Sequence, residues 1–519
     1  MAIATYRNEP LTDFTQESNR RLLEEALRTV KAQLGGRYTL LIGGVRQSTA
    51  EENASTNPGD PSEVVGYVAK ATKEHIDEAL DAAWRAFDKW KRVPGPARAR
   101  YLYKAAAVMR RRKFELSAWE VLEAGKTWAE ADADVAEAID FLEYYGRSME
   151  RLSRPVELTP LPGEEDTAYY VPLGVGAIIP PWNFPLAILT GLSSSAMVAG
   201  NTILLKPASP TPVIAAKFVE VMEEAGIPAG VLNFVPGDGG VIGDHLVAHP
   251  RTRFISFTGS REVGIRINKL AAEHQIGQRW IKRVIAEMGG KDAIVVDETA
   301  DLEAAAVGIV QSAFGFQGQK CSACSRAIIA DSVYDQVLNR VLELTRALKV
   351  GAADDYANQM GPVIDRKAFD KISGYIDWGR ENSKLALGGE REQAPGQKGY
   401  FINPTIFQDV APGSKLEQEE IFGPVLAFIR ARDFEDALDI ANDTEYGLTG
   451  SVYSRRRDRI ERAMDDFVVG NLYINRKCTG AVVGSHPFGG FNMSGTDSKT
   501  GSPEYLLQFM QMKSIAERY

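Results

Sequence analysis

Residues 171–205 read VPLGVGAIIPPWNFPLAILTGLSSSAMVAGNTILL and carry no charged side chain. A stretch this apolar must leave water, either into a protein core or into a bilayer. Pro172, Pro180, Pro181 and Pro185 fall inside it, together with Asn183 and Asn201. Proline removes a helical hydrogen bond and clashes with the preceding turn, so no continuous membrane helix fits here. The run reads instead as a buried strand, an irregular loop and a core helix, and no membrane span is expected.

The residues that follow repeat that alternation. TILLKP (202–207) is a short branched apolar run, hence a buried strand. Thr211 is placed to cap the next helix, with Pro212 at its first position, Gly226 past its end and Pro228 beyond. VLNFVPG (231–237) predicts a strand, VIGDHLVAH a helix, RFISFTGS (253–260) a strand and 261–273 a helix. Strand–helix–strand units imply a doubly wound parallel sheet, whose ligands sit at the carboxyl ends of the strands. Lys206 and Thr258–Ser260 fall at such ends. A second alternation begins at GGKDAIVVD, with helices expected near 301–313 and 332–348 and RAIIAD as a strand between them. Residues from about 60 to 150 read as helical, with Gly125 the main interruption of the later part. Residues 155–172 and the tail after about 495 read as peripheral strands and loops.

A chain of 519 residues is too long for one core, so two or three domains are expected. Lys plus Arg number 60 against 69 Asp plus Glu, a net charge of −9. The short RRR runs at 110–112 and 455–457 are flanked by acids and read as solvated helix faces. No nucleic-acid partner is expected. Three cysteines, Cys321, Cys324 and Cys478, do not make a disulfide framework and fit a reducing compartment. The N-terminus MAIATYRNEPLTDF lacks the apolar segment of a signal peptide, so a cytoplasmic location is expected.

The strongest chemical signal is FGFQGQKCSACSR (314–326), a Gly- and Gln-rich approach to Cys321. A thiolate nucleophile needs a polar or electropositive setting to form near neutral pH. CSAC also reads as a redox pair or half of a zinc site, but zinc would need two further ligands nearby in sequence. Taken alone, Asn183 reads as a turn residue and Glu287 as a loop acid.

IIPPWNFP (178–185), LLKPAS (204–209), FTGSREVG (257–264), EMGGKDA (287–293), GQKCSA (318–323), EEIFGPV (419–425) and PFGGFNMSG (487–495) occur in that order. The series resembles the aldehyde dehydrogenase superfamily from about residue 55 to the C-terminus. The resemblance implies an α/β fold with a Rossmann-type cofactor domain (1–152 and 172–286) and a second α/β catalytic domain (287–494). It also implies a small oligomerisation strand region (153–171 and 495–519) and a homo-oligomer. Cys321 would attack an aldehyde carbon, and the Asn183 amide with the Cys321 backbone N–H would hold the oxyanion. Glu287 would be the general base for the water that hydrolyses the thioester. No metal is implied.

A G-x-G-x-x-G fingerprint is missing, and the family holds its pyrophosphate differently. Ser260, beside Gly259 at a helix start, would contact a phosphate. Lys206 would bond the adenosine ribose and Glu420 the nicotinamide ribose, with Trp182 and Phe422 also in the cofactor site. Three residues after Lys206, where strongly NAD-selective relatives often carry Glu, stands Ser209. NAD is therefore expected as the main cofactor, with NADP tolerated.

The loop NRKCTGAVVGSHPFGG (475–490) resembles that of the family's glutamate γ-semialdehyde dehydrogenase branch. There Ser322 and the N–H groups of Gly480 and Ala481 would anchor the substrate α-carboxylate, and Phe488 would pack on its aliphatic chain. A Gly-Ala turn offers closely approaching donors for such a group. The implied reaction is NAD-dependent oxidation of L-glutamate γ-semialdehyde to L-glutamate, the second oxidative step of proline breakdown. The length implies a monofunctional enzyme. The alternatives are an aldehyde dehydrogenase for another semialdehyde, or a binding protein that kept the fold.

Overall fold

The computed structural model describes residues 5–390 and 398–519. The first residues of the N-terminal reading, and 391–397 within the expected 287–494 domain, lie outside the described residues.

The uncharged run folds as expected, into the strand Val175–Ile179, an irregular turn, the helix Ala187–Val198 and the strand Thr202–Leu205. Every residue of that helix except Ile188 is buried, which suits a helix apolar on all sides. Each fully buried Leu, Met or Val there contributes about 1.5–3 kcal/mol. Among the described residues, no helix is long and apolar enough to cross a membrane.

Two seven-stranded sheets frame the molecule. In the first, Arg283–Glu287, Phe254–Thr258, Val175–Ile179, Thr202–Leu205 and Leu232–Phe234 run parallel in that spatial order. Leu40–Ile42 and Val45–Gln47 complete one edge in antiparallel sense. The chain first steps outward from Val175–Ile179 to Leu232–Phe234, then crosses back to place Phe254–Thr258 on the other side. That reversal opens a crevice at the carboxyl ends.

The second sheet orders Lys384–Leu387, Thr405–Gln408, Val425–Ala431, Cys324–Ala330, Asp292–Val296, Thr449–Tyr453 and Asn471–Ile474. All pairs are parallel except the first. Its core strand is clamped by buried Arg326, whose guanidinium donates to the Lys291, Ile440 and Ala441 carbonyls and pairs with Glu417 at 2.7 Å.

A two-stranded antiparallel ribbon, Glu164–Pro172 with Met510–Arg518, stands off both sheets. From Gln511 onward that last strand is exposed, while Tyr505, Leu506 and Phe509 just before it are buried. The peripheral strands expected from the sequence are therefore present.

Two readings are corrected. Residues 60–69 are not helical but form the strand Asp60–Ala69, paired with Glu52–Asn57 and Gly36–Tyr38. Val64, Val65, Tyr67 and Val68 favour a pleated surface, and helix begins only at Lys73. Thr211 does not cap the helix Pro212–Glu224 through its side chain. The buried Glu123 carboxylate does so from another helix, accepting the Val213 and Ile214 N–H groups at 2.8 and 2.7 Å. Two orphan donors are thus met by a charge brought from a distance.

Candidate active site

The carboxyl ends of the first sheet face the amino ends of the second. Asn183 follows Val175–Ile179, Lys206 follows Thr202–Leu205, Gly259 and Ser260 follow Phe254–Thr258, and Glu287 closes Arg283–Glu287. From the other side, Cys321 precedes Cys324–Ala330 and Glu420 precedes Val425–Ala431.

Cys321 is partly exposed at the end of an unusual approach. Phe316, Gln317 and Gly318 all have left-handed backbones, with φ of 47°, 55° and 66°. Two consecutive non-glycine residues in that region are costly, so surrounding contacts must impose it. The Gln317 amide donates to the carbonyls of Gly125 and Pro362 at 3.3 and 2.8 Å, and Gln319 Oε1 accepts the Ile364 N–H at 2.9 Å. Buried Asn183 donates from Nδ2 to the Gln319 carbonyl at 3.0 Å, two residues before the thiol. Its second amide hydrogen remains available for another acceptor.

Of the polar or electropositive setting expected for the thiol, the structure shows a polar and acidic one. Burial pushes the Cys321 thiol well up, and the carboxyls of Asp292, Glu420 and Glu287 push it further. These acids are themselves driven toward neutrality by burial, Asp292 to about 8 and Glu287 to about 7. Burial and these acids together favour the protonated form of the Cys321 thiol. Cys324 and Cys478 are buried, and the Cys478 thiol donates to the Ser322 carbonyl at 3.4 Å.

Glu287 is enclosed by the last Gly-rich segment. Its carboxylate accepts the Ser498 hydroxyl at 2.6 Å and the Gly490 N–H at 3.1 Å. A Cβ on Gly489 or Gly495 would stand 2.9 Å from its oxygens. Across the gap, Gly289 and Gly290 allow two other close approaches. A Cβ on Gly289 would collide with the Glu420 carboxylate, and one on Gly290 would lie 2.5 Å from the Cys321 carbonyl oxygen. Glu420 Oε1 accepts the Gly290 N–H at 3.1 Å. Phe422, at φ 60°, meets Trp182 edge-on with ring centres 5.4 Å apart.

A shallow groove lies against the first sheet, lined by Asn53, Lys70, Pro207, Ser209, Gly237 and Asp238 among others. Lys206 is buried beside it, donates to the Pro207 carbonyl at 3.3 Å and is pushed down to about 8 by burial. Ser209 is exposed, and its carbonyl accepts the Asn53 amide at 2.9 Å. Ser260 caps the helix Arg261–Ala272 by accepting the Val263 N–H at 3.4 Å, with Gly259 just before it.

The loop 475–490 meets the residue after Cys321 through the Cys478–Ser322 contact. Arg476 donates to the carbonyls of Thr479 and Gly480 at 2.9 and 3.0 Å. Trans peptides point N–H and C=O oppositely, so the N–H groups of Gly480 and Ala481 face away from Arg476 as a pair of free-standing donors. Phe488 is half-buried, and its N–H donates to the Thr500 carbonyl at 2.8 Å.

Sequence reasoning thus located Asn183, Cys321, Glu287 and Glu420 at one gap, and Lys206 and Ser209 at one groove. It missed Ser498, Arg476, Asp238 and the pair Gly289–Gly290. The Gly-Gly was visible in EMGGKDA, but only tertiary contact shows what it admits.

The model of the aldehyde dehydrogenase family matches residues 45–515. The chain belongs to the aldehyde dehydrogenase family. It is 60% identical over 517 residues to the 1-pyrroline-5-carboxylate dehydrogenase of Geobacillus kaustophilus, covering 100% of both. Among solved structures it is similar to the 1-pyrroline-5-carboxylate dehydrogenase from Thermus with bound NAD, at a TM-score of 0.98 and 53% identity over 100% of both chains. It also matches proline utilization A from Bdellovibrio bacteriovorus, at a TM-score of 0.97 and 46% identity, over 99% of this chain and 53% of that one. The α/β aldehyde dehydrogenase fold expected from the sequence is the fold of this family.

Proposed function

We propose that the chain oxidises L-glutamate γ-semialdehyde, the open form of 1-pyrroline-5-carboxylate, to L-glutamate with NAD. The observation that carries this reading is the convergence of Asn183, Cys321 and Glu287 on one gap between two sheets. Cys321, its S–H proton released to solvent at its partly exposed edge, attacks the aldehyde carbon through Sγ, and the resulting oxyanion takes hydrogen bonds from Asn183 Nδ2 and the Cys321 N–H. Donors fixed before the reaction cost no reorganisation, and one such donor is worth about 10²–10³-fold in rate. When bound, NAD would supply the hydride acceptor needed to oxidise the thiohemiacetal to a thioester. Glu287, held near pKa 7 by burial, then takes a proton from the hydrolytic water.

The cofactor fits the groove and its surroundings. Lys206 presents a buried ammonium with N–H groups to spare for a ribose, and Glu420 accepts from a second ribose while fixed by Gly290. Ser260, Gly259 and the following helix start offer donors to phosphate, and Trp182 with Phe422 forms an aromatic corner. Asp238 lies in the groove but is paired with Lys70 at 3.2 Å, so no bare carboxylate at position 209 or 238 repels a 2′-phosphate. NADP is therefore tolerated. The kcat/KM ratio of NAD to NADP is expected below about 10³; a larger preference, above roughly 4 kcal/mol, contradicts this.

Substrate choice rests on Ser322, Gly480, Ala481 and Phe488. The paired N–H groups turned away from Arg476 suit a carboxylate, and Phe488 a short aliphatic chain. Losing a buried carboxylate anchor leaves polar groups unpaired, so kcat/KM for propanal is expected about 10³–10⁴-fold below that for the semialdehyde. Steady-state NADH absorbance with 1-pyrroline-5-carboxylate, succinic semialdehyde and propanal tests this. Equal rates for all three, or faster turnover of succinic semialdehyde, would assign the chain to another aldehyde.

In the same reading, 1–152 with 172–286 carries the cofactor and 287–494 the nucleophile. The exposed Glu164–Pro172 and Met510–Arg518 ribbon is the oligomerisation element, since an unpaired edge of this length invites another copy. The three free cysteines accord with a cytoplasmic location.

A further inference from the structure

A fully buried lysine lies beneath the site, and nothing described so far uses it. Lys126 sits between the left-handed Gly125 and the helix Trp128–Leu152. Its ammonium is 3.0 Å from Asp134 Oδ2 and 4.0 Å from Glu120 Oε2, and none of the three side chains is exposed. It also stands 4.3 Å from the centre of the Phe184 ring and 4.4 Å from that of Phe316. A cation within about 6 Å of a ring face is held by the ring's quadrupole, the more so when desolvated.

Those two rings belong to the two halves of the oxyanion site. Phe184 follows Asn183 directly. Phe316 opens the left-handed segment that leads to Gln319 and Cys321. The same ion pair holds the first half by a second route, because Asp134 Oδ1 accepts the Ala187 N–H at 2.8 Å, at the head of the next helix. The second half is also tied to Lys126's own neighbour, through Gln317 and the Gly125 carbonyl. Burial opposes a charge on Lys126, but Asp134 and Glu120 outweigh it and hold its pKa above the usual value. Lys126 has ring partners on both sides of the gap.

We infer that Lys126 is a positioning residue that fixes the spacing of Asn183 from the Cys321 backbone, through one ring face on each. It touches no substrate. It acts by holding the Asn183 amide and the Cys321 N–H at the separation an oxyanion needs, where errors near 1 Å cost about 10²-fold. This inference rests on the oxyanion role proposed for Asn183.

A double-mutant cycle tests it. Lys126→Met keeps volume and removes charge; Phe316→Leu removes one ring face but leaves the Lys126–Asp134 pair. Single-turnover NADH formation is measured for each, alone and combined with Asn183→Ala, on whichever aldehyde the wild type oxidises fastest. Substrate identity then does not enter, and a wild type inactive on the semialdehyde counts against the proposed substrate only. Each single variant is expected to slow the step about 10-fold or more with KM for NAD unchanged, and Lys126→Arg to recover part of the loss. Combined with Asn183→Ala, neither adds more than about twofold, because the group they position is gone. Multiplicative losses, wild-type rates in the single variants, or a raised KM for NAD as the only change would each overturn the inference. Should Lys126→Met fail to fold with Asp134 left unpaired, the Phe316→Leu cycle decides alone.

Discussion

Cys321→Ala is expected to lower NADH formation by about 10⁴-fold or more, since the covalent route disappears with the sulfur. The loss should appear wholly in kcat. The change removes one atom from a partly exposed side chain that no backbone bond depends on, so the thermal midpoint and NAD affinity stay close to those of the wild type. Steady-state absorbance and NAD titration on the same preparation check both halves. Persisting turnover would remove the role of nucleophile from Cys321.

Glu287→Gln separates the two halves of the reaction. With the base gone, hydrolysis of the thioester should slow by about 10²–10⁴-fold. The first turnover should survive, leaving a burst close to one NADH per Cys321 followed by a slow phase. The pH dependence carries a definite sign. Burial raises the Glu287 carboxyl to about 7, against the pull of Ser498 and Gly490. The base works only when ionised, so kcat in the wild type rises with pH through about 7 and falls below it; in the variant that limb is absent. Stability moves the other way. A carboxyl whose folded pKa is raised favours the native state fully below its unfolded pKa, and that contribution is lost as pH rises through about 7. Gln is neutral throughout, so the variant should unfold at a higher temperature than the wild type at pH 8 and at a similar one near pH 4. A burst that vanishes along with turnover would place Glu287 in the attack step instead.

The resting state of the thiol has a consequence for both experiments. Burial and the neighbouring carboxyls disfavour a standing Cys321 thiolate before substrate arrives. Reactivity is therefore tied to the loaded site rather than to a standing thiolate.

Much of this was legible in the residues themselves. The uncharged run 171–205 dictated a buried strand, turn and helix, because prolines and a complete lack of charge leave few alternatives. The strand–helix alternation after it dictated parallel sheets, and the ordered motifs around Asn183, Glu287 and Cys321 marked where chemistry gathers. Local chemistry writes such signals directly into sequence: proline spacing, glycine turns and branched apolar runs act on the backbone that carries them. The strand Asp60–Ala69 was misread because a short apolar run fits either period until its partners are known.

What the tertiary structure alone decided depends on groups far apart in the chain. Glu123, not Thr211, satisfies the helix at 212, and its distance in sequence hides it. The amino ends of the second sheet face the carboxyl ends of the first, so the thiol enters from the opposite end of a strand. The groups around Cys321 are buried carboxyls brought from distant segments, because burial acts through space and not along the chain. Lys126 shows the same division. Its sequence says only that a lysine follows a glycine; only the fold sets its charge between two rings that belong to the two sides of the site.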